Sequence, residues 1–292
     1  MLPVKVLVTG AGGQVASALV RLKPASVELT ALGQTELDIT DREAVRRRVA
    51  VLDPDVIINA AAYTAVDKAE GEKDLAERVN GAAPGYLAEA AHANGARLLH
   101  ISTDFVFDGK ATSPYKPDAA TAPLGVYGAS KLSGEQRARE ASHDQALVLR
   151  TAWVYAAQGH NFVRTMLRLM AERGTVKVVR DQLGSPTWAT SVAEALWAAV
   201  AKPGLRGIHH WTDAGTASWY DFAQAIAEDG LAMGVLGRKV EVLPITTAEY
   251  PTPARRPAYS VLDCNSTEQA LGLHPAPWRE NLKKMLRELK DA

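Results

Sequence analysis

The sequence predicts an α/β fold, with a doubly wound parallel sheet and a smaller C-terminal α/β lobe. A β-branched run at Val4–Thr9 is followed by glycines and then by a segment from Gln14 that has the apolar spacing of a helix. Short apolar runs and helical segments then alternate, which is typical of parallel strands joined by crossover helices. The chain of 292 residues is long enough for one large domain and a smaller lobe.

Each element is predicted from a local pattern. Short runs rich in valine, isoleucine and leucine predict strands at 4–9, 27–32, 55–59, 97–101, 147–151, 176–179 and 207–211. Helical spacing predicts helices at 14–22, 42–52, 67–77, 79–94, 161–173, 190–200, 218–228 and 279–290. Asp41 and Ser218 are the expected N-caps of two of these helices. The proline-containing stretch 244–257 is predicted to be an ordered surface loop.

The composition excludes several classes of protein. Lysine plus arginine and aspartate plus glutamate number 33 each, so there is no net field to attract nucleic acid or an anionic membrane. The single cysteine, Cys264, excludes an intramolecular disulfide and suits a reducing compartment. The N-terminus has the pattern of a first strand, not of a signal peptide. We therefore expect a cytoplasmic protein with no nucleic-acid or membrane partner.

The glycine turn Gly10–Gly13 predicts a dinucleotide site. It lies between the first strand and the first helix, where glycines let the backbone approach a pyrophosphate and the helix N-terminus offers free N–H groups. The alternative is a tight turn that needs positive φ for structural reasons alone. Ala60–Ala62 follow the third strand, where small side chains would let a flat ligand lie against the backbone. The alternative there is simple packing of alanine.

The end of the second strand does not predict a cofactor preference. An acidic residue at this position usually holds the ribose hydroxyls of NADH, and a basic residue accommodates the 2′-phosphate of NADPH. The sequence has Gly33 and Gln34 there. We therefore expect weak discrimination between the two cofactors.

The strongest indication of chemistry is the pair Tyr127 and Lys131. Residues four apart lie on the same face of a helix, so the phenol and the ammonium can reach one small volume. An ammonium nearby should lower the pKa of the phenol and suit it to protonate an alkoxide. Such a pair alone is a weak motif, but Thr103 at the end of the fourth strand should face the same crevice. The loop 111–125 is predicted to lie over this site.

Five segments resemble the dTDP-4-dehydrorhamnose reductase family of extended short-chain dehydrogenases/reductases, which have a Rossmann-like sheet. The resemblance spans nearly the whole chain and rests on the stretches 59–70, 102–109, 126–131, 150–155 and 250–257. It implies a dinucleotide-binding core at 1–155. It also implies that residues 156–292 contribute the last core elements and the sugar-nucleotide-binding lobe.

The resemblance also implies a reaction. Hydride from NADPH or NADH, with NADPH slightly favoured, would reduce the C4 keto group of dTDP-4-dehydro-beta-L-rhamnose. Tyr127 would supply the proton, Lys131 would hold the nicotinamide ribose, and Thr103 would hydrogen-bond at the carbonyl or the phenol. The family's cofactor positions fall on Gly10, Gly13, Gln14, Val15, Asp38, Ile39, Ala60, Ala61 and Ala62 together with Tyr127 and Lys131, and its substrate positions fall on Thr103, Asp104 and Trp153.

The sequence departs from the family pattern at a few positions. Ala16 replaces a glycine of the nucleotide fingerprint, and Phe105 replaces a frequent tyrosine. Some members link a dimer through magnesium bound by acidic residues, but Ala18 and Thr190 stand at the matching positions. We therefore expect no metal site, and either a monomer or a homodimer.

Other functions and sites remain open. A sugar-nucleotide epimerase or dehydratase of the same superfamily is one alternative, although the Asp-Glu pair of a dehydratase is replaced by Asp104 and Phe105. A non-catalytic regulatory subunit, as found with methionine adenosyltransferase, is another. Arg255 and Arg256 are candidates for substrate phosphates or for a solvated loop. We expect a structural role for the His209-His210-Trp211 stretch and an inert thiol at Cys264.

Overall fold

The computed structural model describes residues 2–291. Its strands are β1 (Val4–Thr9), β2 (Val27–Leu32), β3 (Val56–Asn59), β4 (Arg97–Thr103), β5 (Leu147–Thr151), β6 (Val154–Tyr155), β7 (Thr175–Val179), β8 (Leu183–Gly184), β9 (Thr187–Trp188), β10 (Gly207–His210), β11 (Ala217–Ser218) and β12 (Glu241–Ile245). Its α-helices are α1 (Gln14–Arg21), α2 (Arg42–Leu52), α3 (Val66–Ala69), α4 (Lys73–Ala76), α5 (Ala83–Ala93), α6 (Val126–Ala141), α7 (Phe162–Glu172), α8 (Ala189–Val200), α9 (Trp219–Ala232), α10 (Asn265–Leu271) and α11 (Trp278–Lys290).

The predicted doubly wound sheet is confirmed. Six parallel strands lie in the order β2-β1-β3-β4-β5-β10. The direction of winding reverses between β1 and β3, and open α/β sheets bind ligands at the carboxyl ends of the strands at such a reversal. The glycine turn after β1 and the alanines after β3 therefore lie at the same end of neighbouring strands.

Two apolar layers hold the sheet between helices. Alternate residues of a strand point to opposite faces, so Val6 and Val8 pack with α1 and α8 on one side, whereas Leu7 packs with α2 and α5 on the other. Both layers are almost fully buried. This explains why the central strands have continuous apolar runs without a polar alternation.

The C-terminal part has its own apolar core. Helices α7, α9 and α11 pack around the parallel pair β7 and β12, with Met170, Phe222 and Leu282 at the centre. Strand β12 corrects the predicted loop 244–257 at its first two residues, Pro244 and Ile245, and helix α10 was not predicted at all. Pro244 lies in β12 and obscured its strand pattern, but proline is tolerated on an edge strand.

The predicted helices between 67 and 94 form a more broken path. Two short helices, α3 and α4, lead into a π-helical segment at Glu77–Ala82, which continues as α5. Insertions of this kind are frequent near functional sites. Among residues 2–291, no helix is long and apolar enough to cross a membrane.

Candidate active site

The glycine turn packs against the alanines that follow β3. Gly10 and Gly12 have φ values of 79° and 88°, which favour glycine. A Cβ on Gly10 would lie 2.7 Å from the backbone of Ala61. The backbone N–H of Gly13 donates to the carbonyl of Gly10 at 3.0 Å, and α1 begins at the next residue. The structure therefore brings two of the predicted cofactor segments together.

The remaining predicted cofactor residues have local partners within the fold. The side-chain oxygen of Gln14 accepts a hydrogen bond from Asn161 at 2.9 Å, and Val15 is half-buried against the core. Asp38 is exposed and accepts from the backbone and hydroxyl of Thr40, whereas Ile39 is buried.

Thr103 ends β4 and turns the chain into a short 3₁₀ helix. Its hydroxyl accepts from the backbone N–H of Phe105 at 3.2 Å and donates to Oδ1 of Asp104 at 2.9 Å. Oδ2 of Asp104 is buried and has no hydrogen-bond partner within residues 2–291. Burial raises the pKa of Asp104 to about 6, although the hydroxyls of Ser260 and Thr103 oppose the shift.

Tyr127 lies in the first turn of α6, as predicted. Its ring packs edge-to-face on Phe105, with 5.4 Å between centroids, and its phenol lies near the hydroxyl of Thr103. Gly128 is required here because a Cβ would lie 2.2 Å from the carbonyl oxygen of Phe105. Burial and the charge of Asp104 raise the pKa of Tyr127 to about 12. The prediction that the pKa of Tyr127 is lowered is therefore wrong.

Lys131 lies one turn further along α6, and its side chain is buried. Its Nζ donates to the carbonyl of Ile101 at 2.6 Å and lies 3.5 Å from Nε2 of His100. Burial lowers the pKa of Lys131 to about 8, and the charge of Glu135 opposes the shift. The three residues predicted to meet, Thr103, Tyr127 and Lys131, are thus together at the carboxyl end of β4.

A buried ion pair fixes α6 against the sheet. Glu135 accepts from Nε of Arg150 at 2.9 Å and from its Nη2 at 2.7 Å. Both side chains are only 2% exposed. Ser102 on β4 also donates to Glu135, and Nη1 of Arg150 donates to the carbonyl of Pro117 at 3.3 Å. The pair therefore connects the helix of Tyr127 to β4, to β5 and to the loop that contains Pro117.

The comparisons with known proteins agree with this geometry. The family model of the RmlD substrate binding domain matches residues 4–291. The chain is 43% identical over 289 residues to the spore coat polysaccharide biosynthesis protein SpsK of Bacillus subtilis, which covers 99% of both proteins. It is 43% identical over 298 residues to the dTDP-4-dehydrorhamnose reductase of Burkholderia thailandensis, which covers 98% of this chain and 99% of that protein. The chain belongs to the RmlD family of dTDP-4-dehydrorhamnose reductases.

A solved structure of the RmlD family has the same fold. The dTDP-4-dehydrorhamnose reductase of Bacillus anthracis, determined in complex with NADP, is 37% identical to this chain. The superposition covers 98% of this chain and 100% of that one, with a TM-score of 0.91. The resemblance inferred from the sequence motifs is confirmed.

In this RmlD family member, Trp153 stacks on another residue of the chain. Its ring lies parallel to that of Trp219, with 3.5 Å between centroids and 5° between planes. Trp153 has a φ of 48°, and Gly184 packs so closely that a Cβ there would lie 2.5 Å from the indole ring. One face of Trp153 is therefore covered by protein.

Two further segments are held by side-chain contacts. In the first, Tyr115 stacks on Phe107 at 4.1 Å, and its hydroxyl donates to Asp108 at 2.7 Å. In the second, Arg256 makes a bidentate ion pair with Asp67, at 2.6 and 2.7 Å. The guanidinium of Arg256 is thus engaged by a carboxylate, whereas Arg255 is exposed.

A carboxylate that sequence analysis missed lies at the end of β2. Oε2 of Glu36 accepts from the backbone N–H of Gly33 at 2.9 Å. Gly33 in turn lies beside the glycine turn, because a Cβ there would be 3.6 Å from the carbonyl of Ala11. Glu36 is three residues beyond the position where an acidic residue is usually sought. Its carboxylate reaches that position only because the chain turns between Gly33 and Glu36.

The other candidate sites have structural partners. Arg21 donates to Thr190 and to Glu288, close to the position of Ala18. Nδ1 of the buried His210 lies 3.0 Å from the carbonyl of Tyr115. Burial raises the pKa of Cys264 to about 11, so its thiol is unreactive. Within residues 2–291, three or more His, Cys, Asp or Glu side chains nowhere gather in an arrangement that could hold a metal.

Proposed function

We propose that this protein catalyses the NAD(P)H-dependent reduction of the C4 keto group of dTDP-4-dehydro-beta-L-rhamnose to dTDP-L-rhamnose. This is the last step of dTDP-L-rhamnose biosynthesis. The proposal rests on one observation: Thr103, Tyr127 and Lys131 lie near the carboxyl end of β4. The glycine turn lies at the same end of the sheet.

The residues around the glycine turn fit a dinucleotide. Glycine at positions 10 and 12, where φ is positive, leaves this turn without side chains that would block a pyrophosphate, and α1 begins directly after it. Ala60–Ala62 would line the cofactor, with Gln14, Val15, Asp38 and Ile39 around its ends. When bound, the reduced nicotinamide supplies the hydride.

Tyr127 is the proton donor in this proposal. A phenol that is protonated at neutral pH can give its proton to the alkoxide oxygen that develops at C4 of the sugar. In this proposal Thr103 would hydrogen-bond at the carbonyl or the phenol, and Lys131, one turn further along α6, would hold the nicotinamide ribose and support the proton donor with its charge. General acid help of this kind contributes about 10²–10⁴-fold to the rate.

The substrate side includes Asp104 and Trp153. The buried Oδ2 of Asp104, which has no partner within residues 2–291, can accept a hydrogen bond from a sugar hydroxyl. Phe105 next to it removes the Asp-Glu pair that a dehydratase needs. The intact set of Thr103, Tyr127 and Lys131 argues against a purely regulatory subunit.

The division of labour, assembly and location are further parts of the proposal. Residues 1–155 form the dinucleotide-binding core, and residues 156–292 supply its last elements and the sugar-nucleotide-binding lobe. The protein acts in the cytoplasm as a monomer or homodimer. NADPH is slightly favoured as the cofactor, in line with the NADP bound to the relative from Bacillus anthracis.

The test is turnover of NADPH with the ketosugar nucleotide by wild type and Tyr127→Phe. We expect kcat to fall by about 10²–10⁴-fold in the variant, because only the proton donor is lost, while the Kd for NADPH changes little. Tyr86→Phe, on the outer helix α5, is the matched control and should retain the wild-type rate. Equal rates for wild type and Tyr127→Phe would refute the assignment of the proton donor.

A further inference from the structure

A row of buried polar side chains crosses the sheet beneath the candidate active site. Thr9 ends β1, Asn59 ends β3 and His100 lies in β4, and the strand register places the three side by side. All three are completely buried. The row ends at Lys131, whose Nζ lies 3.5 Å from Nε2 of His100.

The direction of the hydrogen bonds along this row is determined. Oδ1 of Asn59 accepts from the hydroxyl of Thr9 at 2.7 Å and from the backbone N–H of Ala61 at 3.2 Å. Because a backbone N–H can only donate, the amide of Asn59 has one orientation, with Nδ2 facing Nδ1 of His100 at 3.0 Å. An amide nitrogen also only donates, so Nδ1 of His100 must accept.

The ring proton of His100 is therefore on Nε2. Burial, together with the nearby charge of Lys131, holds the pKa of His100 well below its usual value, so the ring is neutral and carries one proton. That Nε2–H faces Nζ of Lys131. An ammonium has no lone pair to accept it, whereas the neutral amine has one.

The protonation state of Lys131 is thus subject to opposing influences. The carbonyl of Ile101 accepts from it at 2.6 Å, and Glu135, four residues further along α6, favours the ammonium. Glu135 is itself paired with Arg150 from β5, which offsets part of its charge. Tyr127 lies one turn earlier on the same helix. Burial favours the amine, and the N–H of His100 is the polar contact that acts in the same direction.

We propose that His100, held as the Nε2–H tautomer by Asn59, is a positioning residue that stabilises the neutral amine of Lys131 and so sets the pH at which the lysine loses its charge. The inference rests on the proposed function only for its consequence, since the charge of Lys131 would hold the nicotinamide ribose and support the proton donor. The tautomer itself follows from the hydrogen bonds of the row.

The first experiment measures the tautomer directly in the wild-type protein. Long-range ¹H–¹⁵N NMR spectra of ¹⁵N-histidine-labelled protein distinguish the two neutral tautomers and the imidazolium, and through-bond experiments assign the His100 ring. We expect the Nε2–H tautomer throughout the pH range from 6 to 9. An Nδ1–H tautomer, or an imidazolium in this range, would overturn the proposal without reference to any activity.

The second experiment follows the charge of Lys131 through the Kd for NADPH between pH 6 and 10. In wild type the affinity should fall as Lys131 deprotonates, and in His100→Leu this fall should occur at a pH higher by about one unit. His92→Leu, on the exposed side of α5, should have the wild-type profile. A His100→Leu profile that matches wild type or moves to lower pH would refute the proposal. Normal profiles without turnover would instead refute the proposed substrate.

Discussion

Tyr127 illustrates how far the surroundings of a side chain control its proton. Its spacing from Lys131 predicts an acidified phenol, but burial and the charge of Asp104 raise its pKa to about 12. Lys131 directs its Nζ to the carbonyl of Ile101, and its own pKa falls to about 8. The sequence showed which residues share a helix face. It could not show which neighbours desolvate them, because those neighbours come from other elements.

Glu36 provides a test of cofactor preference at a single position. Its carboxylate caps Gly33 at the end of β2, where the adenosine ribose is usually held, so it should repel a 2′-phosphate. We predict that Glu36→Gln improves the affinity for NADPH relative to NADH by about 5–10-fold, the size of one screened charge interaction. Fluorescence titration with both cofactors measures the ratio.

Glu43→Gln, in the first turn of α2, is the matched control for this titration and should leave the ratio unchanged. An unchanged ratio in Glu36→Gln as well would mean that Glu36 does not face the 2′ position. The wild-type preference itself should remain modest, because Glu36 is exposed and solvent screens its charge.

Helix α6 combines the proposed catalytic pair with its own anchor. Tyr127, Lys131 and Glu135 recur every four residues, so one face carries both the chemistry and the buried pair to Arg150. The sequence predicted the first two because their chemistry is recognisable. It gave no sign that Glu135 is buried, since a glutamate in a charged helix is usually solvated.

We predict that Glu135→Gln lowers the free energy of unfolding by about 3–5 kcal/mol, because it leaves the charge of Arg150 buried and unpaired. Urea unfolding followed by circular dichroism measures the loss. The control is Glu172→Gln, which breaks an exposed pair with Arg168 on α7 and should cost less than about 0.5 kcal/mol. Similar losses in both variants would show that the buried pair contributes no more to the free energy of unfolding than the exposed pair.

The elements that were predicted and those that were missed differ in what stabilises them. The central strands and their crossover helices were predicted because each has a strong local pattern. Strand β12 forms by pairing with β7, whose residues lie 66 positions earlier in the chain, and its sequence contains a proline. Helix α10 spans seven residues, too few for a clear period. Long-range pairing of this kind leaves little local signal.

For the molecule as a whole, buried carboxyl groups should make stability depend on pH. Burial raises the pKa of Asp213 to about 6, and its Oδ1 has no hydrogen-bond partner within residues 2–291. A raised pKa in the folded state contributes stability below the unfolded value near 4, and this contribution is lost as the pH rises through about 6. Asp104 acts in the same direction.

We predict that Asp213→Asn reduces the loss of stability between pH 4 and pH 8 by roughly 2–3 kcal/mol, since the amide cannot ionise and a two-unit shift corresponds to this energy. Unfolding free energies at the two pH values test this. Asp118→Asn, an exposed loop variant, should keep the wild-type difference. A variant with the same pH dependence as wild type would exclude Asp213 as a source of the effect.

The arrangement of the whole chain was predictable only in part. Alternating strands and helices predicted the sheet and the end of the sheet at which ligands bind, because parallel crossovers restrict the topology. The ion pair between Asp67 and Arg256 was not predictable, since the two residues are 189 positions apart in the chain.

The fate of a label tests the proposed reaction most directly. NADPH with both hydrogens at nicotinamide C4 replaced by deuterium is incubated with the protein and the ketosugar nucleotide, and the product is analysed by NMR and mass spectrometry. We predict a dTDP-rhamnose product with a single deuterium, at C4 of the sugar. A product without deuterium, or with deuterium at another carbon, would contradict hydride transfer to the C4 carbonyl.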